Sequence, residues 1–78
     1  MKIEIQLYSL LRRFAPKNSN GFIELEISER TSVATLVNTL GIPENSVMLI
    51  TLNGKYVKPN ATLNNGDKIG LYPPIGAG

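Results

Sequence analysis

The residues of this chain best suited to chemistry are its last few. Beyond Ile75 come Gly76, Ala77 and Gly78, a stretch with no ionisable side chain, so its charge is the Gly78 carboxylate. Glycine and alanine let a backbone enter a narrow channel without side-chain clash. Just before them, Pro73 and Pro74 fix φ and remove two backbone donors, which ends a strand and carries the chain off a sheet as an extended strut. This pattern predicts a presented tail whose working group is the Gly78 carboxylate. A frayed terminus is the plain alternative.

Little else in the sequence could do chemistry. With no cysteine there is no thiol nucleophile, zinc knuckle or disulfide, and with no histidine the common general base and metal ligand are missing. The expectation is a binding module or protein co-substrate, with no catalytic residue, no metal site and no bound cofactor. Eight Lys and Arg exceed six Asp and Glu by two, too few to argue for nucleic acid. Arg12-Arg13 is the one basic pair; it reads as a solvated pair, with docking to an acidic partner as the alternative. Neither a signal peptide nor an apolar run long enough for a bilayer is visible, so a cytoplasmic protein without membrane contacts is expected.

The elements that must carry the tail follow from hydrophobic period. Residues 2–8 alternate, with Ile3, Ile5 and Leu7 on one face. Residues 9–20 allow one helical turn bearing Leu10, Leu11 and Phe14, then loop. Residues 21–28 alternate again, Ile23, Leu25 and Ile27 inward. Val33, Leu36, Val37 and Leu40 then mark one face of a helix, capped by Thr31 or Ser32 and closed by Gly41 and Pro43. Residues 47–52 form an apolar strand, Asn53-Gly54 signals a hairpin returning through Tyr56-Val57, and Asn65-Gly66-Asp67 a turn. Residues 68–72 are the last strand, Ile69 and Leu71 inward.

The order β-β-α-β-β-β describes an α+β chain of the β-grasp (ubiquitin-like) plan, a mixed sheet with one helix packed on one face. Its first and last strands should be parallel neighbours. At 78 residues one modest core is expected, burying roughly 60–65% of the unfolded surface. The division is a domain over 1–75 and a flexible tail over 76–78.

Three segments resemble the ubiquitin-like sulfur carriers, above all the small subunit of molybdopterin synthase and, next to it, the thiamine-type carrier. They are Leu10-Leu11-Arg12-Arg13, Leu52-Asn53-Gly54-Lys55-Tyr56-Val57, and the run from Leu63-Asn64-Asn65-Gly66-Asp67 through Tyr72-Pro73-Pro74-Ile75 into the small-residue tail. The resemblance implies an E1-like adenylating enzyme that uses ATP to activate the Gly78 carboxylate. It further implies conversion to a thiocarboxylate, and delivery of sulfur to the molybdopterin synthase large subunit or an equivalent acceptor. That family ends in Gly-Gly, whereas Ala77 stands before Gly78 here. Carriers for thiamine or another pathway, and a ubiquitin-like interaction module without activation, stay open as alternatives.

If Met48, Ile50 and Leu52 face the helix, then Val47, Leu49 and Thr51 lie on the open face with Tyr8 and Tyr72. An apolar patch there, beside the tail, reads as a docking surface. The expected partner-binding residues are Leu49, Tyr72, Pro73, Pro74 and Ile75. A register error of one residue would exchange the two faces.

Overall fold

Ile3, Ile5 and Leu7 alternate with Lys2, Glu4 and Gln6, and strand β1 (Lys2–Leu7) buries the first set completely. The computed structural model describes residues 1–74. After β1 come β2 (Phe22–Glu26), helix α1 (Val33–Thr39), β3 (Leu49–Leu52), β4 (Lys55–Tyr56) and β5 (Lys68–Tyr72). Among the described residues they form one five-stranded sheet in the order β2-β1-β5-β3-β4. β1 and β5 are parallel and the other neighbours antiparallel, so the sheet is mixed, as the β-grasp plan requires. The inward faces of β1, β3 and β5 meet Val33, Leu36 and Val37 of the helix, with Leu11, Ile42 and Leu63 sealing the edges. Each Leu or Ile so buried contributes about 1.5–3 kcal/mol of transfer free energy.

Local chemistry decides where the helix starts and stops. Ser32, rather than Thr31, is the N-cap: its Oγ accepts from the Thr35 N–H at 3.1 Å. The preceding N–H groups of Val33 and Ala34 donate to the carbonyls of Ala61 and Pro59. The first helical turn is therefore satisfied by its own cap and by the loop before Thr62. At the far end Gly41 N–H reaches Asn38 O and Ile42 N–H reaches Val37 O, the paired bonds of a Schellman motif. Ile42 is buried there, the hydrophobic contact that accompanies such a cap.

The Asn53-Gly54 hairpin forms as expected, with Thr51 opposite Tyr56 and Leu52 opposite Lys55. Both turn residues have positive φ, 52° and 86°, the left-handed pair that a two-residue hairpin loop of right-handed twist needs.

Two expectations need correction. The third strand starts at Leu49, not at residue 47, because a 3-10 turn, Glu44–Ser46, delivers Val47 against the core before pairing begins. Alternation fails upstream of that point, so Val47 packs inward and Met48 is 58% exposed. The turn after β1 is likewise 3-10, Ser9–Phe14. Its three-residue period lines up Leu11 with Phe14 and turns Leu10 outward, 53% exposed.

Candidate partner-docking site

Strand β5 lies in the interior of the sheet, between β1 and β3. Its alternation sends Ile69 and Leu71 into the core and leaves Lys68, Gly70 and Tyr72 on the opposite, helix-free face. The register sets Phe22, Gln6, Gly70, Thr51 and Tyr56 in one row across the strands. Gly70 is the gap in that row. A Cβ at Gly70 would stand 2.5 Å from Thr51 Oγ1 and 3.3 Å from Tyr72 Cε1. The bare backbone lets the Tyr72 ring lie back along its own strand.

There the ring meets Tyr8. The two phenol rings stack with centroids 4.3 Å apart and planes 5° from parallel, a pairing worth about 0.5–1.5 kcal/mol beyond its buried area. The neighbouring Tyr72 hydroxyl pushes the Tyr8 phenol above its ordinary pKa, and burial adds to the effect. Leu49 stands opposite Tyr72 in the register and is 38% exposed. Backbone bonds fix this end of the sheet: Met48 N–H donates to Tyr72 O at 2.8 Å and Tyr8 N–H to Leu71 O at 3.2 Å. Leu49, Tyr72 and Tyr8 thus share the open face, as their parity predicts, at the end where β5 finishes.

Pro73 and Pro74 end the strand as expected, but they are not a free strut. Both are half-buried and line a notch with Leu10, Leu11 and Arg13 of one 3-10 turn and Asn45 and Ser46 of the other. Sequence reasoning placed a turn at Leu10, Leu11 and Phe14 but missed this seat, because the Glu44–Ser46 turn is not visible in a hydrophobic period. It also passed over Gly70, for which there was a signal: a glycine inside a strand marks a close approach. The expectations for Ile75, Gly76, Ala77 and Gly78, and the domain boundary at 75/76, lie outside the described residues. Among the described residues no group of three His, Cys, Asp or Glu could hold a metal ion, and no helix is long and apolar enough to cross a membrane. The arrangement offers a recognition surface of aromatic and aliphatic side chains.

The protein-family model described as Mut7-C ubiquitin matches residues 1–77. The chain belongs to the Mut7-C ubiquitin family. Several solved structures share its fold. SAMP1 from Haloferax volcanii shares 16% identity over 100% of both chains, with a TM-score of 0.73. A protein described as molybdopterin converting factor subunit 1, from Pyrococcus furiosus, shares 21% over 96% of this chain and 99% of its own, TM-score 0.73. A chain from the complex of subunits 1 and 2 of the molybdopterin-converting factor of Helicobacter pylori shares 21% over 100% of both, TM-score 0.64. At such identities the likeness is one of fold. No curated protein matches the chain in sequence. The family match and these neighbours agree with the ubiquitin-like fold that the sequence pattern predicts.

Proposed function

We propose that this Mut7-C ubiquitin protein is a sulfur carrier for molybdopterin synthesis, a protein co-substrate whose catalysis belongs to its partners. An E1-like enzyme adenylates the Gly78 carboxylate with ATP and releases pyrophosphate. The terminal sulfur of a persulfide then displaces AMP, and a second thiol cleaves the resulting S–S bond to free the thiocarboxylate. That group is anionic near neutral pH and nucleophilic at sulfur, so the carrier needs no cysteine of its own. The molybdopterin synthase large subunit, or an equivalent acceptor, receives the sulfur.

One observation carries this reading. β5 finishes at Tyr72 beside the Leu49, Tyr72 and Tyr8 patch, and Pro73 and Pro74 are seated directly after it. A protein that takes up the chain beyond Pro74 meets that patch at the same time. Support also comes from the fold shared with the molybdopterin converting factor structures, one of them a complex of subunits 1 and 2. Ala77 favours a second reading, a ubiquitin-like module that binds through the sheet face and leaves Gly78 unactivated. Its methyl narrows the fit to a channel built for bare backbone.

Intact-mass measurement after incubation with the cognate E1-like enzyme, ATP and a sulfur source separates the two. The carrier gains one sulfur-for-oxygen exchange. Ala77→Gly leaves that gain unchanged or improves it. Deleting Gly78 abolishes it, because the carboxylate moves by about 3.5 Å along the chain. A wild-type mass that never changes sinks the carrier reading and leaves the interaction module.

A further inference from the structure

The basic pair Arg12-Arg13 has no part in the patch described above, yet the fold does not leave it as two isolated surface charges. The 3-10 turn after β1 and the loop that follows fold around a hollow lined by Arg12, Arg13, Lys17, Asn18 and Asn20, with no carboxylate in its wall. Among the described residues the ion pair present is Lys2 with Glu24, so none of these three cations is neutralised by a carboxylate there. Arg13 is braced, its guanidinium 5.1 Å from the centre of the Phe14 ring.

This hollow borders the docking site on two sides. Arg13 also lines the notch that seats Pro73 and Pro74. Arg12 lies close enough to Tyr8 for its charge to act on the phenol. The cationic loop is therefore continuous with an aromatic and aliphatic patch, the mixture found where two proteins meet with a polar rim around an apolar centre. A net charge of only +2 over the chain makes the clustering local rather than a general basicity suited to a nucleic-acid backbone.

We propose that the loop over residues 12–20 is a second docking element, which receives an acidic surface of the protein that takes up the chain beyond Pro74. The assignment of that partner rests on the sulfur-carrier reading; the anion preference of the loop does not. Opposed charges at an interface rim speed encounter and set orientation more than they add affinity. Arg13 and Lys17 act at the capture step, before any chemistry at Gly78.

Two measurements test this. The first is titration of isotope-labelled protein with hexaglutamate peptide, followed by amide chemical shifts. Shifts are expected at residues 12–20, fading as NaCl rises from about 0.05 to 0.5 M, and lost in Arg13→Glu/Lys17→Glu. Shifts absent from this loop, or spread evenly over all lysines, overturn the proposal. Tighter binding of a single-stranded oligoribonucleotide of equal charge through the same amides overturns it too, and marks a nucleic-acid surface instead. The second is sulfur loading by the cognate E1-like enzyme. Arg13→Glu/Lys17→Glu should raise KM for the carrier roughly tenfold at low salt with kcat kept, and Arg13→Lys/Lys17→Arg should restore it. An unchanged KM overturns the partner assignment. Failure of the wild type to load at all removes the sulfur-carrier reading and with it that assignment, while the hexaglutamate titration still decides the anion preference.

Discussion

Asn53 and Asp67 belong to different turns, yet the Asn53 side-chain amide donates to Asp67 Oδ1 at 2.9 Å. Asn53 Oδ1 accepts from Lys68 N–H at 3.0 Å, and Asp67 Oδ2 accepts from Asn64 N–H at 2.7 Å. The hairpin turn and the turn into β5 are thereby tied at one end of the sheet, and the buried Asp67 carboxylate has a donor for each oxygen.

Asn53→Ala should destabilise the protein by about 1–3 kcal/mol, because it strips a donor from a buried carboxylate. It also places a Cβ residue without side-chain compensation at a positive φ. Asn53→Gly keeps the backbone free and should cost less. Urea denaturation of both, with a double-mutant cycle to Asp67→Ala, is the check. The cycle should give a coupling of at least about 0.5 kcal/mol, and strict additivity would deny the tie.

The Tyr8 phenol should ionise above the ordinary value of about 10. A folded pKa raised above the unfolded one means the contribution to stability is fully present below the unfolded pKa and is lost as pH rises through the folded pKa. Stability should therefore fall with a steeper slope in that alkaline window than in Tyr8→Phe, where the phenol is gone. Ultraviolet difference titration of the folded protein, set against denaturation at stepped pH, reads both quantities. Identical slopes for the two proteins would rule out the Tyr8 contribution.

Gly70→Ala should cost about 1–3 kcal/mol by overpacking, since the new methyl meets Thr51 Oγ1. Adding Thr51→Ala should recover part of the loss. A melting temperature unmoved by Gly70→Ala alone would mean that the Thr51 and Tyr72 side chains swing away at no cost.

Leu49→Glu should change folding stability by no more than about 0.5 kcal/mol, as an exposed position does. It should weaken binding of the protein that engages the tail by about 1–3 kcal/mol if Leu49 lies near the centre of the contact. Calorimetry of the isolated protein and of the complex separates the two effects. Loss of folding would place Leu49 in the core.

Most of the fold was legible in short-range pattern. The alternation of Ile3, Ile5 and Leu7, the 3.6-residue spacing from Val33 to Val37 and the Ser32 cap are local facts of steric and hydrogen-bonding chemistry, and a sheet with one covered face follows from them. Parity also put Leu49, Tyr8 and Tyr72 on one face correctly, because a two-residue period holds wherever a strand is regular. It failed at Val47 and Met48, where a 3-10 turn hands the chain to the sheet and no side-chain period exists to read.

What only the tertiary structure decided are contacts between residues distant in sequence. Nothing near Asn53 announces Asp67, nothing near Tyr8 announces Tyr72, and the seat of Pro73 and Pro74 needs two 3-10 turns, Ser9–Phe14 and Glu44–Ser46, from separate parts of the chain. The side-chain pattern of a strand states which face a residue takes, but not which strand lies beside it or in what register. Those depend on burying the shared apolar faces of β1, β3 and β5 under a single helix, a free energy gained only when the whole sheet assembles.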